Sequence, residues 1–248
     1  MLGIIGGSGF YSAGYTENLR HIEMVTEYSD TAVAIELVET DKPFAFLARH
    51  GKDHHIPPHE INYRANIDAL RQAGVTEIVA INSVGGIAEG TGPGSIIVPN
   101  QLIDYTWGRQ STFCGQSKRF VHHVDFSFPF DRALSDKLVS AVNAINDQSG
   151  AARPVAAGGV YGVTQGPRLE TAAEIQKMRR DGCDIVGMTA MPEAVLAREV
   201  GINYGLIALS VNWAAGILPK VVTMEEIEVV LADGHQFLRR VLARIIDD

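Results

Sequence analysis

Short apolar or β-branched runs recur along the whole chain, separated by stretches with helical periodicity, and this alternation restricts the fold to a sheet with helices packed on it. The runs are Leu2 to Ile5, Thr31 to Val38, Phe44 to Ala48, Glu77 to Ile81, Ser95 to Val98, Val155 to Val163, Cys183 to Val186 and Tyr204 to Val211. Between them, Tyr63, Ile67 and Leu70 repeat at helical spacing, as do Leu134, Leu138, Ala141 and Ile145. Glu170 to Arg180 and Glu193 to Val200 are rich in helix formers. The last segment is the clearest helix: Ile227, Val230, Leu231, Leu238, Val241, Leu242 and Ile245 line one face, Thr223 and Glu226 can form a capping box, and Gly234 is its weak point. The expected fold is α/β, one domain over residues 1–248 with a central mixed β-sheet flanked by helices.

Of the 248 residues, 46% are hydrophobic and 20% charged, enough apolar material for a sizeable core and too little bias for a long disordered tract. The net charge of -8, with Lys and Arg scattered, leaves no electrostatic footprint for nucleic acid or an anionic membrane. Small solutes are therefore the expected partners. An anionic ligand would have to be held locally, by a few Arg, His and backbone N–H groups. Cys114 and Cys183 match neither a disulfide framework nor a zinc spacing, so a reducing cytoplasm is expected. The opening Met1-Leu2-Gly3-Ile4-Ile5 reads as a first strand rather than a signal peptide, and no later stretch reads as transmembrane.

Glycines gather at the ends of the candidate strands, where open α/β sheets bind ligands. Gly6-Gly7-Ser8-Gly9 can aim backbone N–H groups and a hydroxyl at one phosphate, although a tight turn needing only positive φ explains it equally well. It lacks the Gly-x-Gly-x-x-Gly spacing and the Walker lysine, which disfavours a dinucleotide or P-loop site. Arg49-His50-Gly51 ends another strand, and a guanidinium there can grip phosphate oxygens bidentately. The same tripeptide occurs in histidine phosphatases, but after the first strand rather than near residue 50. Asn82-Ser83-Val84-Gly85-Gly86 offers a third turn, and Gly187-Met188-Thr189 a fourth strand end leading through Pro192 and Glu193 into a helix. Alone, Met188 reads as core and Thr189 as a helix cap. Four such loops together favour a shared anion site.

These segments resemble the trimeric branch of the purine nucleoside phosphorylase and methylthioadenosine phosphorylase family, in order and over nearly the whole chain. The resemblance is carried by Ile4-Ile5-Gly6-Gly7-Ser8-Gly9, Leu47-Ala48-Arg49-His50-Gly51, Asn62-Tyr63-Arg64-Ala65-Asn66-Ile67, Gly166-Pro167-Arg168-Leu169-Glu170-Thr171, Gly187-Met188-Thr189 and Pro192-Glu193. It implies the nucleoside phosphorylase fold and phosphate bound by Ser8, Arg49, His50, Asn82, Ser83 and Thr189, with the ribose hydroxyls near Met188. Inorganic phosphate is then a co-substrate, with no cofactor and no metal, and the partners are a small nucleoside and phosphate.

Where the methylthioadenosine enzymes carry Asp-x-Asp, this chain has Asn212-Trp213-Ala214. An Asn can donate to a 6-keto oxygen and accept from a protonated N7, and the Glu170 carboxylate, beside Leu169, can accept the N1–H of a 6-oxopurine. The inosine and guanosine enzymes have Glu and Asn at the matching positions but a His where this chain has Met224, preceded by Val221 and Val222. Oxopurine recognition with an apolar 5′ pocket implies 5′-methylthioinosine as the substrate. An inosine and guanosine phosphorylase and a non-catalytic nucleoside-binding protein are the alternatives. Catalysis would fall to Asn212, Arg49 and His50. His123 matches a residue that a neighbouring subunit of a homotrimer contributes to the sugar site, with a plain surface histidine as the alternative.

Overall fold

In the computed structural model, residues 1–7, 18–115, 121–150, 152–219 and 223–248 are described. Their elements run β1 (Leu2–Gly6), β2 (Leu19–Met24), β3 (Val33–Val38), β4 (Phe44–Ala48), α1 (Tyr63–Gln72), β5 (Glu77–Gly86), β6 (Ile96–Val98), β7 (Gln101–Asp104), α2 (Arg132–Gln148), β8 (Val155–Ala157), β9 (Val160–Val163), α3 (Ala172–Arg180), β10 (Ile185–Gly187), α4 (Ala190–Glu199), β11 (Asn203–Trp213) and α5 (Met224–Asp247). The strands form one mixed sheet in the order β2-β3-β4-β1-β5-β10-β9-β7, with β11 also on β5 and carrying β6 and then β8.

Helices cover both faces. Ala65, Ile67 and Leu70 of α1 pack with Ala194, Leu196 and Ala197 of α4 in one core, while Leu134 and Leu138 of α2 pack with Leu238, Val241 and Leu242 of α5 in another. Side chains of β5 alternate between the two, Ile78 and Ala80 to the first and Val79 and Ile81 to the second, as a strand buried on both faces requires. Four of the five described helices begin where a side chain satisfies an orphan amide: Asn62 accepts from the Ala65 amide, Asp131 from Leu134, and Thr171 with Glu174 forms a reciprocal capping box. Thr223 accepts from the Glu226 amide at the start of α5.

The expected run from Val155 to Val163 is two strands, because Gly158 and Gly159 adopt φ of 109° and 121°, outside the range of a strand. Gly234 is no weak point either: a Cβ there would stand 2.3 Å from Leu209 Cδ2, so glycine lets α5 lie close on β11.

The layout of β5 positions the site. At its start it pairs with β1 over Glu77–Ala80, and at its end with antiparallel β10 at Gly85 and Gly86. Between these partners its edge opens at Ile81 to Val84, leaving main-chain groups to be satisfied by side chains. The C-terminal ends of parallel β1, β4, β5 and β11 converge on this crevice, where ligands of open α/β sheets bind.

Candidate active site

A cavity of about 590 Å3 opens at the split in the sheet. Arg49, His50, Asn82, Ser83, Leu169, Glu170, Met188, Thr189, Asn212, Ala214 and Met224 all line it, together with Gly7, His54 and Ile227. Loops after five strands and the first turn of α5 thus bring most of the sequence-derived candidates to one place.

Arg49 follows β4, and its amide donates to Gly6 O, extending the β1–β4 pairing by one residue. Its side chain, 1% exposed, crosses the opening in the sheet. Nη1 donates to Ile81 O at 3.0 Å, Nη2 to Asn82 Oδ1 at 3.0 Å, and Nε and Nη2 clasp the two Glu193 oxygens at 2.5 and 2.9 Å. The bidentate edge expected to grip phosphate is therefore occupied by Glu193. One Nη1–H is left without a protein acceptor among the described residues, close to Gly7, where a Cβ would meet Nη1 at 2.9 Å and Ile81 O at 2.6 Å. Burial lowers the guanidinium pKa, but the Glu193 charge and hydrogen bonds outweigh it, so Arg49 stays protonated.

The polarity of the hydrogen bonds then runs outward from this ion pair. Asn82 accepts from Arg49 and donates through Nδ2 to Thr189 Oγ1 at 2.9 Å and to Tyr161 Oη at 3.2 Å. Because Thr189 Oγ1 is an acceptor there, its own proton is left to donate to an anion. Thr189 precedes α4 but makes no side-chain cap, so the helix-cap explanation of this residue does not hold. Glu193 also accepts from Tyr204 Oη at 2.8 Å. Its role was not legible in the sequence, where it reads as a helix former; the signal was its place as the one acid in the apolar stretch Ala190 to Leu196, now buried to 1% exposure.

His50 lies 2.8 Å through Nδ1 from Ile56 O. A carbonyl only accepts, so the neutral ring carries its proton on Nδ1 and presents Nε2 as an acceptor. Burial, then the Arg49 charge, pushes its pKa down to about 4 despite the Ile56 hydrogen bond, and the ring is neutral at pH 7. It can accept from a protonated phosphate oxygen or a sugar hydroxyl, rather than donate as expected.

On the far side, Asn212 lies one residue before the end of β11, just past a register shift between Ser210 and Asn212. Nδ2 donates one proton to Trp213 O at 2.7 Å, leaving a second Nδ2–H and Oδ1 for a ligand. Trp213 does not line this cavity: its indole packs over Gly92, where a Cβ would stand 2.6 Å from it, in an adjoining cavity of about 440 Å3. Glu170 immediately precedes Thr171, the cap of α3, and the acid in that helix's first turn is Glu174. His123 is exposed and lines none of these cavities. Ser8, Val221 and Val222 lie outside the described residues. Among the described residues no group of His, Cys, Asp or Glu is arranged to hold a metal ion, and no helix is long and apolar enough to cross a membrane.

A sequence profile described as the Phosphorylase superfamily matches residues 1–247. The chain belongs to that superfamily. Superfamily relatives align over almost its full length: a probable S-methyl-5′-thioinosine phosphorylase of Pseudomonas syringae pv. tomato is 48% identical over 98% of this chain and 97% of its own. A 6-oxopurine nucleoside phosphorylase of Pyrococcus furiosus is 40% identical over 98% of this chain and 91% of its own. Among solved structures, a methylthioadenosine phosphorylase from Schistosoma mansoni in complex with adenine superposes with a TM-score of 0.91 at 32% identity, covering 99% of this chain and 90% of that one. The fold is that of the nucleoside phosphorylases, and the superfamily makes this chain a pentosyltransferase.

Proposed function

We propose that the protein cleaves S-methyl-5′-thioinosine with inorganic phosphate, giving hypoxanthine and 5-methylthioribose 1-phosphate. The observation that carries this reading is the joint presence of Glu170 and Asn212 in the cavity that also holds Thr189, Arg49 and the apolar side chains of Met224 and Ile227. Phosphate is held by the Thr189 hydroxyl and the remaining Arg49 Nη1–H, with His50 Nε2 accepting its proton-bearing oxygen or a sugar hydroxyl. A phosphate oxygen bonds to the anomeric carbon as the bond from that carbon to N9 breaks, and the bonding pair passes into the purine, which leaves protonated at N7 with a proton drawn from solvent. Asn212 accepts the N7–H through Oδ1 and donates its second Nδ2–H to the 6-keto oxygen; Glu170 accepts the N1–H. Adenine would set its N1 lone pair against the Glu170 carboxylate, and a stranded polar group costs about 1–3 kcal/mol. The chemistry needs no cofactor beyond the phosphate co-substrate.

The 5′ end is walled by Met224 and Ile227, apolar surface suited to a methylthio group. The similarity to the S-methyl-5′-thioinosine phosphorylases supports the same substrate. Incubation with methylthioinosine, inosine and methylthioadenosine in the presence of phosphate should release free base fastest from the first; equal turnover of all three would defeat the specificity argument. Base release from inosine at the methylthioinosine rate would favour an inosine and guanosine phosphorylase. A homotrimer in which His123 reaches a neighbouring site fits the exposure of His123, with Val121 and Phe128 also 75% and 70% exposed. A cytoplasmic enzyme accords with the free Cys114 and Cys183.

A further inference from the structure

Glu170 does not stand alone in the cavity wall. Thr164 Oγ1 lies 2.6 Å from Glu170 Oε1 and 3.3 Å from Gly187 O. A hydroxyl has one proton, and the shorter contact, in the range of a charge-assisted bond, is the one that takes it. Oε1 is thereby engaged, while Oε2 has no protein donor among the described residues and is left for a ligand. We infer that Thr164 is a positioning residue for base recognition, fixing the Glu170 carboxylate so that one defined oxygen meets the N1–H of a 6-oxopurine.

Thr164 is itself held from two directions. Its amide donates to Gly187 O at 2.8 Å, extending the β9–β10 pairing one residue into the loop. Its carbonyl and that of Gln165 accept from Arg109 Nη2 at 3.3 and 2.8 Å, while Nη1 of the same guanidinium donates to Met188 O at 2.8 Å and Met191 O at 2.6 Å. Arg109 thus ties the loop that carries Glu170 to the strand end that carries Met188 and Thr189. A free glutamate would lose side-chain torsional entropy on meeting the base; one already tethered through Oε1 has met much of that cost beforehand. The sequence of Thr164 alone, the last residue of a β-branched run, gives no hint of this.

The inference rests on the oxopurine reading of the site, and a double-mutant cycle separates the two. Thr164→Val keeps the shape of the side chain and removes the donor; Thr164→Ser keeps the donor. With methylthioinosine, kcat/KM should fall roughly tenfold in Thr164→Val, the scale of a hydrogen bond to a charged group. The KM for phosphate should stay within about twofold of the parent, since the bond lies on the base side of the cavity. Thr164→Ser should restore most of the loss, and Thr164→Val should cost nothing further in a Glu170→Ala background. An undiminished Thr164→Val enzyme beside a crippled Glu170→Ala enzyme overturns the inference and leaves the base assignment standing. So does a Thr164→Val loss that persists without Glu170, or one that raises the phosphate KM equally, either being the mark of a general structural role. An undiminished Glu170→Ala enzyme overturns the base assignment, and the inference with it.

Discussion

Replacing Glu193 with Gln tests whether a buried carboxylate that touches no substrate organises the phosphate site. The side chain is 1% exposed and accepts three hydrogen bonds, two from Arg49 and one from Tyr204. Glu193→Gln preserves its shape but turns one accepting oxygen into a donor facing other donors, and leaves the Arg49 charge buried without its counter-ion. Breaking a buried pair from one side costs about 3–5 kcal/mol. At a few degrees per kcal/mol for a chain of this size, the melting temperature should fall by roughly 6–20 °C. Freed from its clasp, Arg49 no longer orients Asn82, and Asn82 no longer fixes the acceptor state of Thr189. The KM for phosphate should therefore rise at least tenfold, while that for nucleoside changes little. Thermal unfolding and initial rates at varied phosphate measure both effects. An Arg49→Met/Glu193→Leu double variant should be nearer the parent in stability than Glu193→Gln, because no charge is left buried and unpaired, and yet be inactive for want of the Arg49 donor. A Glu193→Gln protein with unchanged melting and unchanged phosphate KM would refute the reasoning.

Asn212→Asp replaces the Nδ2 donor with an acceptor opposite the 6-keto oxygen, and hypoxanthine release should drop at least tenfold; an unchanged rate removes Asn212 from the base site. The His50 ring should titrate near 4 by NMR in the free protein and move up when phosphate is added, since a nearby anion favours the imidazolium. Its folded pKa lies below the unfolded value, so stability should decline as pH falls from about 6.5 towards 4 and then level off from this group; a His50 pKa near 6.5 that ignores phosphate contradicts its placement. Gly234→Ala should destabilise by about 1–3 kcal/mol despite the better helix propensity of Ala, because its Cβ overlaps Leu209, and a more stable variant in urea unfolding would contradict that packing.

Much of the fold was legible because burial on both faces writes itself as continuous apolar runs, as in β1, β4, β5 and β11. Strands β2 and β7 carry no such run: Leu19–Met24 is half exposed and Gln101–Asp104 sits at the sheet's edge, so hydrogen bonding to a neighbour rather than apolar content makes them strands. The candidate site was legible where a glycine-rich turn followed a strand, which is how Arg49, Asn82 and Thr189 were found, whereas Asn212 came from the resemblance, standing where the methylthioadenosine enzymes carry an Asp. Trp213 was included because it adjoins Asn212 in sequence, and packing over Gly92 draws its indole into the adjoining cavity. The roles of Glu193 and Thr164 escaped notice for another reason. Their parts are played through partners 144 and 6 residues distant, and only folding brings those atoms within hydrogen-bonding range.

The central claim is that the cavity at the split in the sheet holds an oxyanion against a sugar carbon, so that phosphate and not water takes the sugar. Phosphorus NMR of the protein with methylthioinosine and phosphate measures this directly. One equivalent of sugar 1-phosphate should appear for each hypoxanthine released, with no release when phosphate is withheld. Hypoxanthine formed at the same rate without phosphate, beside free methylthioribose, would contradict the account.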